Sequence, residues 1–454
     1  MSHAAPQDPR GGQAAATDAT PGAPGDVVAD AEVPLTDTDV VHSRHGGTGP
    51  ADPRWSEAFT RIVSGGWAVS LGAVLLAVLG GSIMIAVTDE AVRTASGYFF
   101  SRPSDTLGAV GSAVGNSYAA LFRGAVWDYR ADDVATAIRP LTSSLTFATP
   151  LIAAGLGVAL AFRAGLFNIG GQGQILVAAA AAGWVGFGAD LPWPLHMLLA
   201  MAVGIAAGAL WAGIAGLLKA TTGAHEVIVT IMLNYVAFYL LSWLLATPGL
   251  LQAPGSANPK TPPTAQSALM PDLLGPRYNL HLGFVFALLA VAGVWWLLHR
   301  STLGFTFRAV GENPSAARVA GVDVGRTTVS AMLVAGGLLG LAGTSQVLGQ
   351  VTTGFGSDID AGIGFDAITV ALLGRSSPLG VLAASILFGA FKAGGSAMQA
   401  SQGVPIEIVL VVQSLIVLFI AAPPLVRAVF RLPQPGRRRP PRSRSRRDRK
   451  AVTA

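Results

Sequence analysis

Apolar residues in this chain fall into long blocks separated by short polar stretches. A helical crossing of a typical bilayer needs about 20 predominantly apolar residues. Ten segments reach or approach that length: 67–87, 141–162, 173–188, 195–218, 226–246, 281–298, 327–348, 363–374, 379–397 and 405–422. The pattern predicts an all-α polytopic membrane protein of about ten transmembrane helices, with a transmembrane domain over 67–426. The third and eighth segments are short, so a broken or half helix is expected at either. Residues 1–66, rich in Ala, Gly, Pro, Asp and Thr, read as a disordered tail. No basic start followed by a short apolar run and a small-residue cleavage site lies near Met1, so the first apolar segment is expected to remain as an anchor.

Composition supports the bilayer as solvent: 51% of residues are apolar and 12% charged, and the mean hydropathy is +0.53. The 56 glycines suit close helix packing in lipid, as they suit loops. The absence of cysteine excludes a disulfide framework, thiol catalysis and Cys-ligated metal.

Charge distribution orients the segments. Arg54 and Arg61 precede the first, Lys219 ends the fourth, and His299, Arg300, Arg308, Arg318 and Arg326 crowd the loop after the sixth. With ten crossings all of these fall on one side, which the excess of Lys and Arg marks as cytoplasmic. Both termini are expected there. The other side then receives 88–140, the Pro-rich 247–280, and 351–362, which holds Asp358 and Asp360 and no basic residue. Residues 427–454 form a basic disordered cytoplasmic tail, with ten Arg, one Lys and a single Asp between Arg427 and Lys450. Beside an apolar span such a run is expected to touch anionic membrane lipids rather than a specific nucleic acid.

No G-x-x-x-x-G-K-[ST] phosphate loop surrounds any of the four lysines, Lys219, Lys260, Lys392 and Lys450, so the chain is not expected to be its own ATPase. The spans lack the paired carboxylates and histidine chain of a proton-coupled carrier; Glu226 and Asp366 lie near predicted span ends, where water is expected to reach them. Amides are the more prominent polar groups. The segment Ala161–Gln174, AFRAGLFNIGGQGQ, sets Asn168, Gln172 and Gln174 among glycines between two apolar stretches. Unwound backbone at membrane depth survives only within protein or along a water-filled path, so this is a candidate solute-path element. An ordinary polar loop at the membrane surface fits the same residues. Thr230 and Asn234 stand inside the fifth segment, where solute contact and helix–helix bonding are both open readings.

The loop over 299–326 carries a more ordered pattern. Asn313 can cap a helix opening at Pro314, and Ser315–Ala320 then makes short turns that stop at Gly321. Such a helix would offer Arg308, Glu312 and Arg318 to a cytoplasmic partner.

Four ordered strings, AFRAGLFNIGGQGQ, HEVIVTIMLNY, STLGFTFRAVGENPSAARVAGV and GFDAITVALLGRSSPLG, resemble the permease subunits of nucleoside-type ABC importers, within the group of permeases for simple sugars and branched-chain amino acids. The resemblance covers about 141–423. It implies a type II-like importer fold in the bacterial inner membrane, and a permease without enzymatic activity. It also implies three partners: a second, related permease, a cytoplasmic subunit that binds ATP and Mg, and an extracytoplasmic solute-binding lipoprotein. By the same likeness Glu312–Gly321 is the coupling helix, and Asn168, Gln172, Gln174, Thr230 and Asn234 are placed on the solute path. A common family form has an acidic residue where this chain has Gln172. The solute is expected to be a nucleoside, with a simple sugar or another neutral solute, or a stand-alone secondary carrier, as alternatives. A loose internal repeat, 165–208 with 362–389, is in keeping with transporters built from pseudo-symmetric halves.

Overall fold

The computed structural model describes residues 66–430, so the two expected tails lie almost wholly outside the described residues. The described chain is helical, with one isolated antiparallel bridge between Asp272 and His281. We number its helices α1 (Gly66–Thr88), α2 (Glu90–Ser96), α3 (Pro103–Ala125), α4 (Val134–Ala137), α5 (Arg139–Arg163), α6 (Gly171–Gly188), α7 (Leu195–Thr222) and α8 (Glu226–Ala246). After these come α9 (Gly283–Arg300), α10 (Thr302–Glu312), α11 (Pro314–Val319), α12 (Val324–Ser345), α13 (Ile363–Leu373), α14 (Pro378–Gln402), α15 (Ile406–Ala421) and α16 (Pro423–Val429).

Each of the ten expected segments is a helix, with ends within a few residues of those read from hydropathy. By length and apolar content together, six described helices are able to cross a membrane, or seven if the bent pair α1–α2 counts as one span. α13 has 11 residues and α15 has 16. At 1.5 Å per residue α13 is about 16 Å long, roughly half a hydrocarbon core.

α5 is the centre. Every residue from Ala148 to Ala161 is buried, as expected of a helix apolar on all faces with neighbours on every side. α12, α13, α14 and α9 supply those neighbours. Small residues set how closely they approach. Along α7 and α12, a Cβ on Gly208 would stand 2.7 Å from Gly336 O and 2.8 Å from Gly340 Cα, so the two backbones meet without intervening side chains.

Two connecting segments are built rather than loose. Within 88–140, α3 packs along α14 where Gly124 meets Gly394 and Ala397, and Tyr118 Oη donates to Val78 O of α1 at 2.8 Å. Within 247–280, the N–H groups of Thr261, Thr264 and Met270 donate to Phe355 O, Thr352 O and Leu348 O at 2.8–3.0 Å, which ties the segment over the end of α12. Arg277 reaches back to Asp133 at 3.0 Å. The Thr136 hydrogen bond and this guanidinium hold the Asp133 carboxyl below the usual carboxylate range.

Candidate solute path and coupling loop

α5 ends at Gly165, whose φ of +71° reverses the chain, and the backbone then runs without helical bonding to Gly170. The amides named from sequence hold this unwound stretch. Asn168 Nδ2 donates to Gln174 Oε1 at 3.1 Å and Gln174 Nε2 donates to Asn168 Oδ1 at 2.9 Å, a reciprocal amide pair. Asn168 Oδ1 also accepts from Gly170 N at 3.0 Å. From α8, Asn234 Oδ1 accepts from Gly173 N at 2.8 Å and Asn234 Nδ2 donates to Ile169 O at 2.9 Å. Thr230, one turn earlier, donates to Val227 O at 3.2 Å.

The helical period explains why α8 offers these groups inward. Thr230, Asn234, Ala237, Leu241 and Leu245 share its buried face, while Ile228, Met232, Tyr235, Tyr239 and Trp243 share the opposite, exposed one. Asn168, Gln174, Thr230 and Asn234 are all buried, at 0–5% exposure. Asn168 and Asn234 satisfy backbone groups that would otherwise be unpaired in an apolar interior, and Gln174 holds Asn168 in place. Of the five residues placed on the path, only Gln172 has appreciable open surface. At the start of α8, Glu226 is buried rather than open to water; it pairs with Lys219 at 2.6 Å and accepts from Phe167 N at 3.4 Å.

The N-termini of α6 and α13 meet. A Cβ on Gly171 would stand 2.8 Å from Gly364 O, and one on Gly364 would run into the backbone of Gln172. The two helices that open the proposed repeat therefore touch at their first turns, although α6 has 18 residues and α13 has 11. Around this contact lies an ionisable group that the sequence reading did not assemble. Gln172 Nε2 donates to Asp360 Oδ1 at 3.4 Å, and Lys392 Nζ lies 2.9 Å from Asp366 Oδ2 and 3.3 Å from Ala361 O. Asp366 thus stands in an ion pair on the first turn of α13, with its side chain 23% exposed. Lys392 sits in the middle third of α14, and a lone lysine inside an apolar helix was the signal that could have found it.

The loop over 299–326 has two helices where one was expected. Ser301 Oγ accepts from Gly304 N at 2.9 Å to cap α10, whose buried side holds Phe307 and Val310. Asn313 Oδ1 then accepts from Ser315 N and Ala316 N, both at 3.0 Å, and caps α11 behind Pro314. Gly321, at φ +86°, ends it, with Val322 N donating to Ala317 O at 3.0 Å. Between the two helices a cleft of about 470 Å3 is lined by Phe305, Arg308, Glu312, Asn313, Ala316 and Ala320. Glu312, Arg318 and Val319 are exposed beside it, Val319 at 91%.

This arrangement occupies the stretch that matches known proteins. Residues 141–421, from α5 through α15, match the family described as branched-chain amino acid transport system / permease component. The chain belongs to this permease family. Among the relatives of this permease, a guanosine ABC transporter permease protein of Bacillus subtilis is 40% identical over 282 residues, covering 62% of this chain and 81% of that one. A glucose ABC transporter permease protein of Haloferax volcanii is 35% identical over 289 residues, covering 62% and 75%. A nucleoside ABC transporter permease protein of Lactococcus lactis is 34% identical over 291 residues, covering 62% and 79%. No solved structure matches the permease.

Proposed function

We propose that this permease is the membrane-spanning subunit of an ATP-binding cassette importer for nucleosides. It moves solute by alternating access, while ATP and Mg are bound by a separate cytoplasmic subunit. Its other partners are a second, related permease and an extracytoplasmic solute-binding lipoprotein. The observation that carries this reading is the 40% identity to a guanosine permease along a stretch that includes both the glycine-rich helix junction and the coupling loop.

The physical form of that loop supports the ATPase as partner. α11 is capped at Asn313 and stopped at Gly321, and its flanks expose Glu312, Arg318 and Val319 to a docking surface. Arg308 lines the cleft behind it. With ten passes through the bacterial inner membrane, 299–326 and both termini face the cytoplasm, and 88–140 and 247–280 face outward. Gln172 is the amide that meets solute; Asn168, Gln174, Thr230 and Asn234 set the shape of the path from behind. The glucose permease relative at 35% identity favours a second reading, an importer of a neutral sugar through the same architecture.

Reconstitution with partner permease, ATPase and binding lipoprotein tests the proposal. ATP-dependent accumulation of labelled nucleosides, with little of labelled hexoses, is the expected result. Hexose uptake without nucleoside uptake would transfer the reading to sugars, and accumulation with no ATPase present would overturn it.

A further inference from the structure

A charge in the middle of a membrane-spanning helix needs water or protein around it, because an ammonium facing lipid tails is costly. Lys392 is such a charge on α14, its partner Asp366 lies on the first turn of α13, and neither is sealed in: the Asp366 and Lys392 side chains are 23% and 20% exposed on the described chain. Residues next to them in the chain or in contact with them are exposed as well. Ala361, Gly362 and Phe365 are exposed, Phe365 at 51%. Gln172 is partly open on the first turn of α6. Behind it Asp360 is 5% exposed; its Oδ1 accepts from Gln172, and its Oδ2 has no hydrogen-bond partner among the described residues. A buried carboxylate oxygen left unpaired at the meeting of two helix N-termini is unusual, and it marks a place where a donor arrives from elsewhere.

We propose that Asp366, Lys392 and Gln172 form the point at which this permease reads the hydrogen-bonding edge of a nucleobase, with Asp360 as the positioning residue that aims Gln172. The inference rests on the nucleoside reading and adds the atoms that recognise the base. Lys392 offers N–H donors, and the Asp366 carboxylate beside it only accepts. A donor 2.9 Å from an acceptor complements a ring carbonyl next to a ring N–H, the lactam edge of guanine, hypoxanthine or uracil. Guanine adds an amino group, and one carboxylate accepts both of its donors side by side. Adenine presents one amino donor beside an unprotonated ring nitrogen, so it gives the carboxylate one hydrogen bond where guanine gives two. Phe365, adjacent to Asp366 on the first turn of α13, supplies a flat apolar surface for the base.

The test uses the complete importer in proteoliposomes, with the binding lipoprotein saturated by each nucleoside in turn, so that the readout follows delivery. Guanosine, inosine, uridine and adenosine are compared. Asp366→Asn is expected to lower the guanosine-to-adenosine uptake ratio about tenfold or more, the effect of losing a charged hydrogen bond. Exchanging the charges, Asp366→Lys with Lys392→Asp, keeps an ion pair but reverses donor and acceptor, and is expected to restore assembly without the wild-type ratio. Gln172→Leu alters no charge and is expected to shift the same ratio. A ratio equal to wild type in whichever of these variants assembles would show that the pair only joins α13 to α14, and would overturn the proposal. Failure of the nucleoside reading shows itself separately, as wild-type importer that takes up no nucleoside.

Discussion

Gly311, near the end of α10, lies backbone to backbone against Gly165, the left-handed residue that ends α5: a Cβ on Gly165 would stand 3.0 Å from Gly311 Cα, and one on Gly311 would run into Arg163 O. No flexible side chain cushions this contact. The loop over 299–326 therefore touches, backbone to backbone, the start of the unwound stretch that Asn168 and Asn234 hold and that leads to the first turn of α6.

Gly311→Val tests that linkage. The added branches have no room beside Arg163 O and Gly165 N, so the loop must shift away from α5. The importer carrying this variant is expected to hydrolyse ATP while its solute uptake falls at least tenfold. Parallel ATPase and uptake measurements on the same proteoliposomes check it; equal loss of both would place the contact outside the coupling route.

Asn234→Leu is expected to act on stability before transport. It removes the acceptor for Gly173 N and the donor to Ile169 O, leaving two buried backbone groups unpaired at about 1–3 kcal/mol each. A lower melting temperature in detergent and less assembled complex are the expected outcome. Normal stability with lost transport would instead return Asn234 to direct solute contact.

Arg318→Glu reverses a charge at an exposed position of α11, where folding energy changes by only about 0.5 kcal/mol. Membrane insertion should persist while capture of the ATPase subunit, solute-stimulated hydrolysis and uptake fall together. A variant that still binds the ATPase and accumulates solute as wild type does would remove α11 from the docking surface.

The chain's lack of cysteine makes its topology directly measurable. Single cysteines replacing Ala253 or Ser357 should react with an impermeant thiol reagent added to intact cells, and one replacing Glu312 should react only after lysis. Labelling at 312 from outside would invert the map.

The positions of the helices were legible because each depends on local composition. Hydropathy found α8 at 226–246 to the residue, and the Asn313, Pro314 and Gly321 signals marked the ends of α11, since a cap is satisfied by backbone groups two or three residues away. α3 was missed because its sequence is only weakly apolar, and its packing surface, including Gly124 against Gly394, comes from a distant helix. The crossing count was less legible for a related reason: an apolar run reports burial, and α13, 11 residues long, is buried against α5 and α6.

Composition and local pattern, by themselves, determined that this chain is helical, lives in a membrane, carries no phosphate loop of its own and presents a capped short helix in a basic loop. Those properties follow from which residues are neighbours along the backbone. Only the tertiary structure decided that Asn168 closes on Gln174 instead of facing open space, that Asp366 meets Lys392, and that α6 and α13 touch at Gly171 and Gly364. Each depends on how one helix is rotated and displaced against another. A few ångströms of approach, permitted by glycines that lack a Cβ, separate an amide that lines a path from one that holds the backbone together.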